Sequence, residues 1–123
     1  MRVGHVNKNL PFSSRLSFAL QGLRLSWNGE TSFRTHIVIA ALTCGAMALI
    51  RPAAVWWALV ALAIGFVISA ELFNTAVERI ADHVQPEFDE DIKAIKDIAA
   101  GAVLFAAFSA IAVALAMASA KYF

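Results

Sequence analysis

Charged residues are absent from three stretches of the chain, 37–50, 53–70 and 98–120, which run for 14, 18 and 23 residues. A helix crossing the hydrocarbon of a bilayer needs about 20 apolar residues. The third stretch meets that length unaided. The first meets it when extended back to Thr31, which predicts a helix over 31–50 with Arg34 and His36 near the membrane boundary. The second begins after Arg51-Pro52, a tight connection whose proline cannot continue the preceding helix. Its helical pattern does not stop at Ala70. It runs on through Glu71-Leu72-Phe73-Asn74-Thr75-Ala76-Val77-Glu78-Arg79-Ile80-Ala81-Asp82, predicting a helix over 53–84. At about 1.5 Å per residue such a helix is roughly 48 Å long, against roughly 30 Å of hydrocarbon, so its last turns emerge. Residues advance by about 100° each, which places Glu71, Asn74, Glu78 and Asp82 within an arc of roughly 80°. Carboxylates at the edge of a bilayer are costly and usually functional. This stripe is the candidate active site.

The remaining pattern frames it. Residues 1–12 read as a poorly ordered tail. Ser13 or Ser14 is placed to cap a helix over 13–28. On it Leu16, Leu20, Leu23 and Trp27 share a face, with Arg15, Gln21, Arg24 and Asn28 turned away; Phe18 and Leu25 blur the division. That pattern suits an amphipathic helix lying in the membrane interface. Asn28-Gly29-Glu30-Thr31-Ser32 is a break, in which Gly29 supports a turn and Thr31 or Ser32 is expected to cap the next helix. Glu30 sits at that junction, near a helix N-terminus where negative charge is favoured. Residues 85–91 form the one long polar loop, and their acids favour the N-terminus of a last helix over 91–120. The small residues Ala99, Ala100, Gly101 and Ala102 in that helix are expected to allow close helix packing.

Composition strengthens the membrane reading. Hydrophobic residues make up 60% of the chain against a soluble norm of about 45–50%. Mean hydropathy is +0.70. The net charge of +1 gives no bulk field for nucleic acid. The single Cys44 lies in an apolar run and reads as a packing residue. No cleavable signal peptide is expected, because the first 35 residues lack a continuous apolar core. With three spans, eight basic residues (Arg2, Lys8, Arg15, Arg24, Arg34, Arg79, Lys93 and Lys96) share one side with all nine acids, and only Arg51 and Lys121 lie opposite. The positive-inside rule then predicts a cytoplasmic N-terminus. Trp56, Trp57 and Tyr122 are expected as aromatic anchors at the far face.

Chemistry narrows the picture without closing it. Carboxylates with an amide oxygen suit hard cations such as magnesium. A partly desolvated carboxylate is also a better proton acceptor. Lys96 is suited to a phosphate or to a carboxylate of the stripe. These are parts of a phosphoryl transferase, and equally of a cation pathway or proton relay. Nucleotide signatures of the G-x-x-x-x-G-K-[ST] and G-x-G-x-x-G kinds are missing, and the histidines at 5, 36 and 83 are too scattered in sequence to suggest zinc. His36 stands out among them because it faces the same membrane boundary as the stripe.

The pair of segments from Glu71 to Asp82 and Lys96-Asp97-Ile98-Ala99-Ala100-Gly101-Ala102-Val103-Leu104 resembles the signature of the prokaryotic diacylglycerol kinase family, which includes undecaprenol kinases. The likeness runs from about Phe18 to Ala120 and takes in Gly22-Leu23-Arg24, Trp27, Glu30 and Phe33-Arg34. It implies an all-α integral membrane kinase of three spans and an interfacial helix, filling 1–123 as one domain, assembled as a homotrimer with shared sites in a bacterial inner membrane. The implied reaction moves the γ-phosphate of ATP, with Mg2+, to a lipid alcohol at the cytoplasmic face. By resemblance, Glu71 looks like the general base, Glu30 and Glu78 like magnesium and nucleotide ligands, and Lys96 and Asp97 like nucleotide contacts. Asn74, Arg34, Asp82 and Trp27 match supporting positions. Diacylglycerol is the expected acceptor. Phe33-Arg34-Thr35-His36 and Asp97-Ile98-Ala99-Ala100-Gly101 look more like the undecaprenol-kinase branch, which keeps a polyprenol alcohol as the alternative.

Overall fold

The computed structural model describes residues 9–122, and these form four α-helices without a strand among them. They are α1 (Phe12–Gly29), α2 (Thr31–Ile50), α3 (Ala54–Val84) and α4 (Glu90–Tyr122). Three of them, α2, α3 and α4, are long and apolar enough to cross a membrane. Residues 1–8, most of the expected tail, and the side chains of Lys121 and Tyr122, the latter an expected anchor, lie outside the described residues.

α3 is the axis of the fold. α4 packs along its length, α2 packs against it more sparingly, and α1 touches both α2 and α3. Few apolar side chains are buried between them: Phe33, Met47, Val60, Val67, Ala81 and Ala106. Large side chains such as Phe66, Phe73, Phe105 and Phe108 stay exposed on the chain. In water such a surface would be prohibitive, whereas lipid tails are as apolar as the side chains they meet.

The helix ends are built differently from the sequence expectation. α1 begins at Phe12 behind Pro11, with no side-chain cap from Ser13 or Ser14. Proline presets its own φ and its carbonyl accepts from Ser14 and Arg15, so the first turn closes without a hydroxyl. Between α1 and α2 there is a single extended residue, Glu30, at φ −122° and ψ 111°. Its N–H closes α1 on the Ser26 carbonyl at 2.9 Å, and its carbonyl accepts from Arg34. Gly29 therefore ends a helix rather than making a left-handed turn, and neither Thr31 nor Ser32 is the N-cap. α4 starts at Glu90 because Asp89 caps it: its Oδ1 accepts from the Ile92 N–H at 3.0 Å. A methyl group built at Gly101 would meet nothing within 4 Å of the same chain.

At the opposite end, α2 closes on Arg51 in the left-handed region, φ 54°, with its N–H on the Met47 carbonyl at 2.8 Å. A non-glycine residue there costs roughly 1–2 kcal/mol. Arg51, Pro52 and Trp56 share a small pocket with Met117 and Ala120, so the far end of α4 returns to the α2–α3 connection. The three long helices thus run up, down and up. Glu71 and the rest of the stripe are left at the end where α1 crosses.

Candidate active site

Glu71 occupies the middle of α3, where the apolar half of that helix meets its polar half. It is buried, with 3% of its surface exposed. A buried carboxylate needs hydrogen-bonding partners to offset its lost hydration. Two side chains of α2, one helical turn apart, supply partners. Ser32 Oγ donates to Glu71 Oε2 at 3.1 Å, and His36 Nε2 lies 3.1 Å from Glu71 Oε1. Ser32 is free for this role because the cap position has passed to Glu30. The His36 side chain is a quarter exposed. Its ring also borders an apolar groove of about 280 Å³ between α2, α3 and α4, lined by residues such as Ala40, Val67 and Ala110.

The other members of the stripe face different neighbours. Asn74 donates from Nδ2 to Glu78 Oε1 at 3.3 Å, and its own Oδ1 is buried without a hydrogen-bond partner. A buried polar atom left unpaired is rare in folded proteins and calls for an explanation. Asn74 also borders a hollow against Ala99 and Ala102 of α4. Further along, Asp82 pairs with Lys96 of α4. The arc is therefore split: its Glu71 end meets α2 and its Asp82 end meets α4.

Lys96 and Asp97, adjacent in sequence, point to different partners. Lys96 takes Asp82, while Asp97 takes Lys93 one turn back on the same exposed helix surface. Exposed pairs of this kind contribute about 0–1 kcal/mol, so either lysine can exchange its carboxylate for a phosphate at small cost. Arg34 ties α1 to α2. Its Nη1 donates to the Trp27 carbonyl at 2.8 Å and its Nη2 to Thr31 Oγ1 at 3.3 Å. The last turn of α1 contains no basic residue, so this guanidinium supplies the positive charge that its open carbonyls favour.

Among the described residues no three His, Cys, Asp or Glu side chains converge on a metal position. Glu30 and Glu78 are thus not members of a three-ligand cluster within the described residues. Magnesium nevertheless accepts one or two carboxylates and takes its remaining ligands from water and phosphate oxygens. The Glu78 carboxylate, oriented by Asn74 Nδ2, is a hard-oxygen ligand of the kind that fits it.

Comparison with known proteins follows the same residues. A family model described as prokaryotic diacylglycerol kinase matches residues 17–118, which hold every side chain placed in this site. The chain belongs to the prokaryotic diacylglycerol kinase family. It is 36% identical over 109 residues to a diacylglycerol kinase of Synechocystis, a match covering 88% of this chain and 61% of that protein. This chain therefore spans less than two thirds of the Synechocystis relative. It is 34% identical over 110 residues to an undecaprenol kinase of Bacillus subtilis, covering 87% and 88%. A diacylglycerol kinase of Helicobacter pylori is 33% identical over 90 residues, covering 72% and 70%. Relatives within the family thus carry two acceptor names.

The Ser32 contact is what sequence reasoning missed. Ser32 reads as a cap, and its real role depends on a helix 39 residues away. One signal was available: Ser32 and His36 are spaced by one turn on the span that faces the same membrane boundary as Glu71.

Proposed function

We propose that this member of the family is an ATP-dependent kinase of a membrane lipid alcohol, acting on diacylglycerol to form phosphatidic acid. The observation that carries the reading is Glu71: a carboxylate buried at the polar edge of a membrane-length helix and held by two side chains of its neighbour. A lipid hydroxyl resides at that depth, and its proton must be removed as the oxygen attacks phosphorus. Glu71 drives that removal. Asn74 stands one turn nearer the water and holds Glu78.

Glu78 with Asn74, completed by Glu30, would hold the magnesium that accompanies ATP and neutralises charge on its phosphates. Lys96 releases Asp82 to contact the nucleotide, and Asp97, paired with Lys93 on the same helix, stands beside it as the second nucleotide contact. Arg34 and the Trp27 carbonyl keep α1 over the site. The chain works as a homotrimer with sites shared between copies. One feature supports this: among the described residues no three metal-ligating side chains converge within one chain. Residues 1–123 act as one domain in a bacterial inner membrane, with the N-terminus cytoplasmic and α1 in the interface. Support comes from the eight-to-two distribution of basic residues and from the exposed leucines of α1.

Undecaprenol is the second acceptor reading. It is favoured by the Bacillus subtilis relative, whose length the match covers to 88%. The test is a competition. Purified protein in lipid vesicles receives magnesium and γ-labelled ATP with diacylglycerol, undecaprenol or both. Labelled phosphatidic acid as the main product supports the first acceptor, and labelled undecaprenyl phosphate replaces it with the second. Label in neither lipid rejects the kinase.

A further inference from the structure

We propose that Ser32 and His36 are positioning residues for the reaction: a two-point clamp on α2 that fixes the plane of the Glu71 carboxylate, and so the direction in which it accepts a proton. The inference rests on the kinase reading above, with Glu71 as the base, and adds what holds that base in place.

The need for a clamp follows from the side chain itself. The terminal torsion of a glutamate is broad and has no sharp staggered wells, so the chain alone does not set the plane of its carboxylate. Two donors, one on each oxygen, do set it. Ser32 Oγ donates to Oε2 at 3.1 Å, and His36 Nε2, carrying a hydrogen, faces Oε1 at 3.1 Å. The two donors are one turn apart on α2, so a single helix face presents both. An ionised carboxylate has about four acceptor sites, two on each oxygen. The clamp takes one on each and leaves one on each, enough for the hydroxyl hydrogen of an alcohol. A base aimed in this way is worth most in the reaction step, where small misplacements are costly.

The two donors are not equivalent. Ser32 is exposed, so water can take over its hydrogen bond. The His36 side chain is three-quarters covered and approaches the carboxylate from the rim of an otherwise largely apolar groove, where a replacing water finds few other partners. His36 therefore carries the larger share of the clamp. Its role calls for an N–H at the position of Nε2, and no proton of the alcohol passes through the ring.

Steady-state kinetics in lipid vesicles, with magnesium-ATP and diacylglycerol or undecaprenol, test the clamp. His36→Leu removes the donor and should lower kcat by about 100-fold, with the KM values for lipid and ATP held within about 3-fold. His36→Gln returns an amide N–H to the place of Nε2 and should recover kcat to within about 3-fold of wild type. Ser32→Ala should lose about 5-fold, the worth of one hydrogen bond, and Ser32→Thr should regain it. The proposal is wrong if His36→Leu keeps a third or more of wild-type kcat, if its loss lies in KM alone, or if His36→Gln falls as far as His36→Leu. A second measurement needs no turnover. The infrared carboxylate band that disappears in Glu71→Gln should shift in Ser32→Ala, a change at an exposed position, and in His36→Leu. A band unmoved in Ser32→Ala overturns the clamp even where His36→Leu does not fold. Wild-type protein that phosphorylates neither alcohol overturns the kinase reading, whereas active wild type beside an equally active His36→Leu overturns the clamp alone.

Discussion

Asn74 donates to Glu78 one turn further along α3 while its own carbonyl oxygen stays buried without a partner. Such an atom costs about 1–3 kcal/mol unless something binds it. In the site proposed above, Asn74 orients the Glu78 carboxylate that would hold magnesium. Asn74→Ala should therefore raise the magnesium concentration for half-maximal activity by about 10-fold or more. A chelator should abolish phosphate transfer in the wild type, and added magnesium should restore it. A magnesium titration of both proteins is the check.

Glu71 and Glu78 are separated by two turns of one helix and should fail differently. Glu71→Gln keeps the shape and a possible contact to His36 but loses the charge. Its kcat should fall by about 100-fold or more, with magnesium-ATP binding within about 2-fold of wild type. Glu78→Gln should instead weaken magnesium-dependent nucleotide binding. Nucleotide binding followed by fluorescence, alongside steady-state kinetics, distinguishes the two, and the reverse pattern would exchange the roles.

Lys96 and Asp82 join α4 to α3 at an exposed surface. Their pairing adds about 0–1 kcal/mol, so Lys96→Met and Asp82→Asn should each leave thermal unfolding nearly unchanged. Only Lys96→Met should raise the KM for ATP, by about 10-fold, the equivalent of about 1.4 kcal/mol in binding. Equal effects from both substitutions would make the pair structural.

Arg34 is the staple between α1 and α2, and its planar fork reaches the Trp27 carbonyl and Thr31 together. A lysine ammonium lacks that geometry. Arg34→Ala and Arg34→Lys should both speed amide hydrogen exchange in the last turns of α1, the alanine variant by about 10-fold, which corresponds to about 1.4 kcal/mol of local stability. Exchange in α3 should stay slow.

Local order was legible in the chain because it is written at short range. Stretches of 14 to 23 uncharged residues announce membrane-length helices, and a period of 3.6 residues collects Glu71, Asn74, Glu78 and Asp82 on one arc. Helix ends were less legible. Ser13, Thr31 and Ser32 all have capping chemistry, yet Pro11 took the first cap through its preset φ and Glu30 the second, because it is the single residue between α1 and α2.

By itself the sequence determined an all-helical membrane protein with three spans and a line of carboxylates at the edge of the apolar segment. Those features follow from hydrophobicity and helical repeat, which act between residues a few positions apart. The tertiary structure alone decided which of the polar residues meet. It sends Glu71 to Ser32 and His36 on α2, and Asp82 to Lys96 on α4. The reason is physical: a carboxylate buried on α3 must find its donors on whichever helix packs against that face, and no periodicity within one helix says which neighbour that will be.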